Sequence, residues 1–210
     1  MKFERPDERW FSSAVFFFLA CCGGIVEAGS PPSLGRCQCR QARTKIAAHW
    51  HELERLQERL KDHEDKPPIS DQAGIEEQIT DLEKLSKCAG CPKSVRSEAD
   101  LLLAGIEGVL AKDYDSWGTK KGEDGRRSFR ATREATRVDP ENFAAWTSYG
   151  NALAAIAKKT LKSRIAKYLA IDLPAELKTT ATNIRRLLAK APSSGGGARA
   201  ALAELDKAIK

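Results

Sequence analysis

Four of the six cysteines in this 210-residue chain have types and spacings that can do chemistry. Cys37 and Cys39 are separated by one residue, and Cys88 and Cys91 form a C-x-x-C pair within "KCAGCPK". Such thiols form structural disulfides, hold zinc through thiolate ligands, or exchange with the disulfides of other molecules. The choice among these depends on the compartment and on the elements that position the cysteines.

The first 28 residues predict the compartment. An apolar run, "WFSSAVFFFLACCGGIV", follows a charged start, and the small-residue sequence "VEA" precedes Gly29. We therefore expect a secretory signal peptide at residues 1–28 and export of the remainder, secreted or periplasmic. Two alternatives stay open: a lipoprotein in which Cys21 of "LAC" is the lipidated residue, and an uncleaved signal anchor.

Export favours disulfides, because the cysteines then meet an oxidising environment. Cleavage after Ala28 leaves four cysteines, and nested bridges would join Cys39 to Cys88 and Cys37 to Cys91, although four cysteines allow three pairings. Zinc held by four thiolates is disfavoured by the same oxidising environment, and we expect no metal. Thiol–disulfide exchange at the Cys88–Cys91 pair remains an alternative, although the pair follows a predicted helix and no strand precedes it.

Two amphipathic helices are predicted between the cysteine pairs, within residues 29–92. Apolar residues recur at steps of three and four from Ala42 to His63 and again up to Lys87, with "KPPIS" between the two runs. We expect an antiparallel helical hairpin closed by disulfides at its open end. Since Cys39 and Cys88 lie at unequal distances from the loop, we expect the arm around "RCQCRQ" to bend back instead of extending the first helix.

The chain beyond residue 92 predicts further helices and few strands, because Ala, Leu, Lys, Arg and Glu dominate it. We expect a helical domain over residues 93–191, a flexible linker over residues 192–197 with the sequence "PSSGGG", and a C-terminal helix over residues 198–210. The expected fold class is therefore all-α.

The stretch from Ser128 to Pro174 resembles the tetratricopeptide repeat. Trp146-x2-Tyr149-Gly150-x2-Leu153 is similar to the repeat's W-x2-L-G-x2-Y pattern with Leu and Tyr exchanged, and Pro140 and Pro174 are one 34-residue repeat apart. The later A-x3-F positions differ, with Lys162 and Ala166 in their place. The resemblance implies paired helices that hold a segment of another protein.

The sequence contains no GxSxG, Walker or HExxH motif, so we expect no enzyme, no catalytic residue and no cofactor. Its net charge of +6 is concentrated after residue 91, where twenty-two Lys and Arg residues stand against fourteen Asp and Glu residues. We expect no nucleic-acid partner, because export opposes it and no aromatic residues are interleaved with the basic ones. The alternatives for this charge are a solvated face and a site for an acidic partner.

Arg126, Arg130 and Arg133 lie at steps of four and three, which places them on one side of a helix. In members of the resembled family that clamp peptide carboxylates, an Asn after the repeat's Gly contributes to the clamp, and Asn151 stands in that position. We therefore expect an exported, non-enzymatic scaffold that binds an acidic peptide or partner protein through these four residues. The rival functions are thiol–disulfide exchange and a structural envelope component without a ligand.

Overall fold

The computed structural model describes residues 34–61, 69–110, 123–191 and 195–210. Within these ranges the chain forms eight α-helices and no strand, which confirms the all-α prediction for the described residues. The helices are α1 (Leu34–Lys61), α2 (Ile69–Ser86), α3 (Lys93–Leu110), α4 (Glu123–Val138), α5 (Phe143–Ala157), α6 (Lys162–Leu169), α7 (Leu173–Lys190) and α8 (Gly196–Ile209). The expected signal peptide and the Cys21 lipidation site lie outside the described residues.

Helix α1 begins earlier than the apolar pattern predicts. It starts at Leu34 and includes the backbone of Cys37 and Cys39, whose side chains lie outside the described part of the structure. The expected bend around these cysteines is therefore wrong. The physical reason is that no Pro or Gly follows Gly35 before Lys61, so nothing in the sequence stops the helix from extending.

The N-terminal core is built by three helices. Both α1 and α2 pack mainly against α3, and they touch each other only slightly. An isolated two-helix hairpin cannot bury both of its apolar faces, and α3 supplies the missing surface. The buried side chains of this core come from all three helices and the turn before α3: Ala42, Ile46, Leu53, Ile75, Leu82, Cys91, Val95, Ala99, Leu102 and Ile106.

The expected disulfide closure is not present among the described residues, since neither Cys88 nor Cys91 forms a disulfide there. Both lie in the turn between α2 and α3, where Cys91 N donates a hydrogen bond to Cys88 O at 3.0 Å. The prediction treated this segment as an isolated two-helix hairpin, whereas a third helix packs against both of its helices. The turn instead holds the two thiols beside each other at the start of a third helix.

Helix α3 also joins the N-terminal core to the rest of the chain. Its other side packs extensively against α4, and Leu101 contacts Ala135 and Ala145 in a small cluster shared by α3, α4 and α5. The buried Ser97 hydroxyl donates to Ala135 O and accepts from Asn142 Nδ2, at 2.8 Å each. Helix α3 thus packs against the two N-terminal helices on one side and against α4 on the other.

The C-terminal core surrounds α5, which packs against α4, α7 and α8. The chain enters α5 through the predicted Asp-Pro turn, where Asn142 Oδ1 accepts from Ala144 N and Ala145 N at 3.1 Å each. Asp172 caps α7 in the same way. Helix α8 contributes Ala198, Ala201 and Leu205 to the core, so it is packed and not an appended tail.

Candidate functional site

Arg126 and Arg133, two of the four predicted binding residues, form ion pairs within the protein. Arg126 pairs with Glu123 one turn earlier, and its guanidinium carbon lies 5.4 Å from the ring centroid of Tyr168. Arg133 pairs with Glu176 of α7. Only about a quarter of each arginine side chain is exposed, at 26% and 27%. Both cations therefore already have an internal counter-charge.

Arg133 belongs to a polar network that ties three helices together. The Tyr149 hydroxyl of α5 donates to Glu176 Oε2 at 2.9 Å, while Glu176 Oε1 accepts from Arg133 of α4. Burial raises the pKa of Tyr149, and the negative Glu176 raises it further, so the phenol stays protonated and remains a donor. An acidic substitution at Arg133 would place two carboxylates together and weaken the fold.

The other two predicted binding residues, Arg130 and Asn151, lie on α4 and α5. The hydrogen bond from Arg126 lowers the pKa of Glu123, and the charges of Arg127 and the exposed Arg130 act in the same direction. Asn151 follows Thr147 by one turn, and Thr147 Cγ2 lies 3.8 Å from the position of a Cβ on Gly197 of α8. Asn151 therefore lies on the side of α5 next to α8, whereas Tyr149 of α5 faces α4 and α7.

An apolar groove of about 480 Å³ opens on the C-terminal core, where α6, the start of α7 and the end of α8 meet. Its volume falls in the range of ligand and peptide pockets, roughly 300–1,000 Å³. The apolar part of its surface comes from the ends of four helices and the turn between α6 and α7: Ala157, Ala166, Ile171, Leu173, Pro174, Leu177, Ala208 and Ile209.

The groove exists because α6 is short. This eight-residue helix inserts Ile165, Ala166 and Leu169 into the core but has little contact with α5. The chain then reverses within three residues: Ala170 adopts a left-handed conformation with φ 53°, and Ile171 N donates to Ala166 O at 3.0 Å. The end of α8 reaches the resulting gap without filling it.

Lysines form the rim of this groove. Lys162, Lys167 and Lys178 line it and are exposed, whereas its single acidic residue, Asp172, accepts a hydrogen bond from Ala175 N at 3.2 Å as the cap of α7. Residues 143–171 contain five Lys and Arg residues and no Asp or Glu. Sequence reasoning missed this site, although the basic run "KKTLKSRIAK" was a signal for it.

The Cys88–Cys91 pair is a second cluster of chemically active groups. Cys91 is buried, with 6% of its surface exposed, while Cys88 is half-buried. A hydrogen bond from the Cys91 thiol lowers the pKa of Cys88, and Arg96 acts in the same direction. The sequence predicted that the pair follows a helix, and the structure shows that it also lies just before the N-terminus of α3.

Other kinds of site find little support in the described ranges. No group of three or more His, Cys, Asp or Glu side chains there is placed to hold a metal ion. Nor does any helix in those ranges combine the length and the apolar character needed to cross a membrane. Comparison of the chain with protein-family models, with curated proteins and with solved structures gave no match.

Proposed function

We propose that this protein is a binding module that captures an acidic, partly apolar segment of a partner protein in the groove between α6 and α8. The observation that carries the proposal is the combination of an apolar floor, which includes Ile171, Leu173 and Leu177, with a rim formed by Lys162, Lys167 and Lys178. The resemblance of residues 128–174 to a peptide-binding repeat supports the same class of function. As part of the proposal, the module is exported and its groove acts without catalysis.

The two parts of the groove have different roles. Burial of apolar side chains against Ile171, Leu173 and Leu177 supplies most of the binding free energy, at about 25 cal/mol per Å² removed from water. Exposed ion pairs contribute less, about 0.2–1 kcal/mol each. The lysines therefore select the sign of the partner's charge and speed its approach, whereas the floor holds it.

Charge reversal at the rim tests this proposal. The double variant Lys162→Glu with Lys167→Glu should bind a short fluorescein-labelled peptide of Glu, Asp and Leu at least about tenfold more weakly than the wild type, a loss of about 1.4 kcal/mol. Fluorescence anisotropy gives the dissociation constants. Raising the salt from about 0.1 M to 1 M should weaken wild-type binding, because screening then reaches down to roughly 3 Å.

The matched control reverses two exposed charges of α4, with Arg130→Glu and Arg137→Glu. This variant carries the same change in net charge, so binding close to the wild-type value is expected if the groove is the site. Loss of binding in the α4 variant, with retention in the rim variant, would show that the exposed arginines of α4 are the site instead. Equal binding of a peptide with Gln and Asn in place of its acids would also contradict the proposal.

A further inference from the structure

The turn between α2 and α3 holds two thiols in unequal surroundings. Cys88 follows the end of α2 and is half-buried, whereas Cys91 packs into the N-terminal core, which also contains Val95 and Leu102. The chain between them forms a tight turn, in which Cys88 N donates to Leu85 O at 3.1 Å and Cys91 N donates to Cys88 O at 3.0 Å. The Cys88 sulfur is therefore more accessible to another molecule than the adjacent, buried Cys91 sulfur.

Several donors converge on the Cys88 sulfur. The hydrogen bond from the Cys91 thiol has the largest effect on the pKa of Cys88 and lowers it, whereas burial alone would raise it. The hydrogen bond is joined by hydrogen bonds from the backbone of Gly90 and Cys91 and by the positive charge of Arg96. All of these lower the pKa of Cys88 and stabilise its thiolate, which is the nucleophilic form. The turn also precedes the N-terminus of α3, where helix amides carry partial positive charge.

We propose that Cys88 and Cys91 form a redox-active dithiol that exchanges with accessible disulfides of other molecules. Cys88 is the attacking sulfur because it is the more exposed of the two, and Cys91 is the resolving sulfur because it is adjacent and shielded. This activity is independent of the lysine-rimmed groove. It replaces structural bridges from these two residues to Cys37 and Cys39.

The exchange transfers two electrons to the partner. The Cys88 thiolate attacks one sulfur of the partner disulfide, which forms a mixed disulfide and expels the first partner thiolate. Cys91 loses its proton and attacks the Cys88 sulfur, which closes the Cys88–Cys91 disulfide and expels the second partner thiolate. The protons given up by the two cysteines end on the partner thiols through water. The protein dithiol is oxidised, and the partner disulfide is reduced.

Glutathione serves as the probe. Trypsin cleavage after Lys87 and Lys93 releases both cysteines in one peptide, "CAGCPK", whose mass shows whether they are bridged. The reduced full chain is equilibrated with oxidised and reduced glutathione in varied ratios, blocked with an alkylating reagent, digested and weighed by mass spectrometry. We expect this peptide to carry an internal disulfide under oxidising ratios and two alkyl groups under reducing ratios. Peptides that link residue 88 or 91 to residue 37 or 39 would overturn the proposal.

Two single variants test the order of attack. Cys91→Ser removes the resolving thiol and should accumulate a glutathione adduct on Cys88, whereas Cys88→Ser should form an adduct on Cys91 at least about tenfold more slowly. The double variant Cys37→Ser with Cys39→Ser should leave the internal disulfide of "CAGCPK" unchanged. Equal adduct rates at the two positions, or a wild-type peptide that stays fully alkylated under oxidising ratios, would refute the dithiol. The wild-type measurement does not depend on whether the variants fold.

Discussion

At the scale of single residues, Asp100 is a carboxyl group whose surroundings oppose its ionisation. It lies in α3 with 3% of its surface exposed, and Ser86 Oγ donates to its Oδ1 at 2.5 Å. Its Oδ2 has no hydrogen-bond partner among the described residues. Burial raises the pKa of Asp100 to about 6, while the hydrogen bond from Ser86 partly opposes that rise. The folded state therefore holds this proton more tightly than the unfolded chain does.

A pH-dependent stability follows from Asp100. Between the ordinary pKa near 4 and the folded pKa of about 6, the folded state binds more protons, so stability falls as pH rises and levels off above pH 6. We expect a loss on the order of 1–3 kcal/mol, since a shift of one pKa unit corresponds to about 1.4 kcal/mol. In Asp100→Asn, which keeps an acceptor for Ser86, this contribution should be lost and the fall should be smaller. Urea unfolding at about pH 4.5 and 7.5 measures both proteins, and identical profiles would contradict the assignment.

At the scale of elements, the end of α6 carries a strained residue. Ala170 has φ 53°, a left-handed conformation that Gly adopts without the steric cost of a Cβ. It closes α6, and its N–H donates to Lys167 O at 3.2 Å. The position also sets the turn into α7 and hence the mouth of the groove. This conformation could not be predicted from the sequence, because Ala is an ordinary helix residue.

Ala170→Gly should stabilise the protein by about 0.5–1 kcal/mol, because relief of the left-handed strain exceeds the added flexibility of the unfolded chain. Ala203→Gly is the matched control, since Ala203 is an exposed residue within α8. That variant should lose about 1 kcal/mol. Thermal and urea unfolding measure both changes. Destabilisation of the two variants by similar amounts would argue against the left-handed turn.

At the scale of the whole molecule, the two cores are connected through α3. Ser97 is fully buried, and it bonds both to α4 and to the turn before α5. Arg186 of α7 adds an exposed tie to the same turn through its hydrogen bond to Pro140 O at 2.8 Å. Because α3 packs against α1, α2 and α4, the loss of either core exposes a face of the same helix. We therefore expect the described helices to unfold together.

Ser97→Ala tests that connection. The substitution leaves Ala135 O and Asn142 Nδ2 without their buried partner, and it should lower the free energy of unfolding by about 1–3 kcal/mol. Ser94→Ala alters an exposed serine of the same helix and should change stability by less than about 0.5 kcal/mol. Circular dichroism and tryptophan fluorescence should give coincident transitions for both variants. Separate transitions, or a negligible effect of Ser97→Ala, would show that the cores are not coupled there.

Local sequence determined the helices but not their partners. Apolar residues at steps of three and four predicted helices on both sides of "KPPIS" and a helical domain beyond residue 92, since periodicity is a local signal. The same pattern could not show that α1 and α2 pack against α3, because an apolar stripe does not identify the surface that will cover it. Long-range packing decided that arrangement.

The candidate sites divide in the same way. Charge and spacing predicted a basic surface and a C-x-x-C pair, because residue types are visible in the sequence. Tertiary structure decided that Arg133 is used in an internal ion pair, since Glu176 is 43 residues from Arg133 along the chain. It also decided that Lys162, Lys167 and Lys178 border one groove, and that Cys88 and Cys91 stand before the N-terminus of α3. Surface lysines become a site only when helix ends from distant parts of the chain form an apolar floor between them.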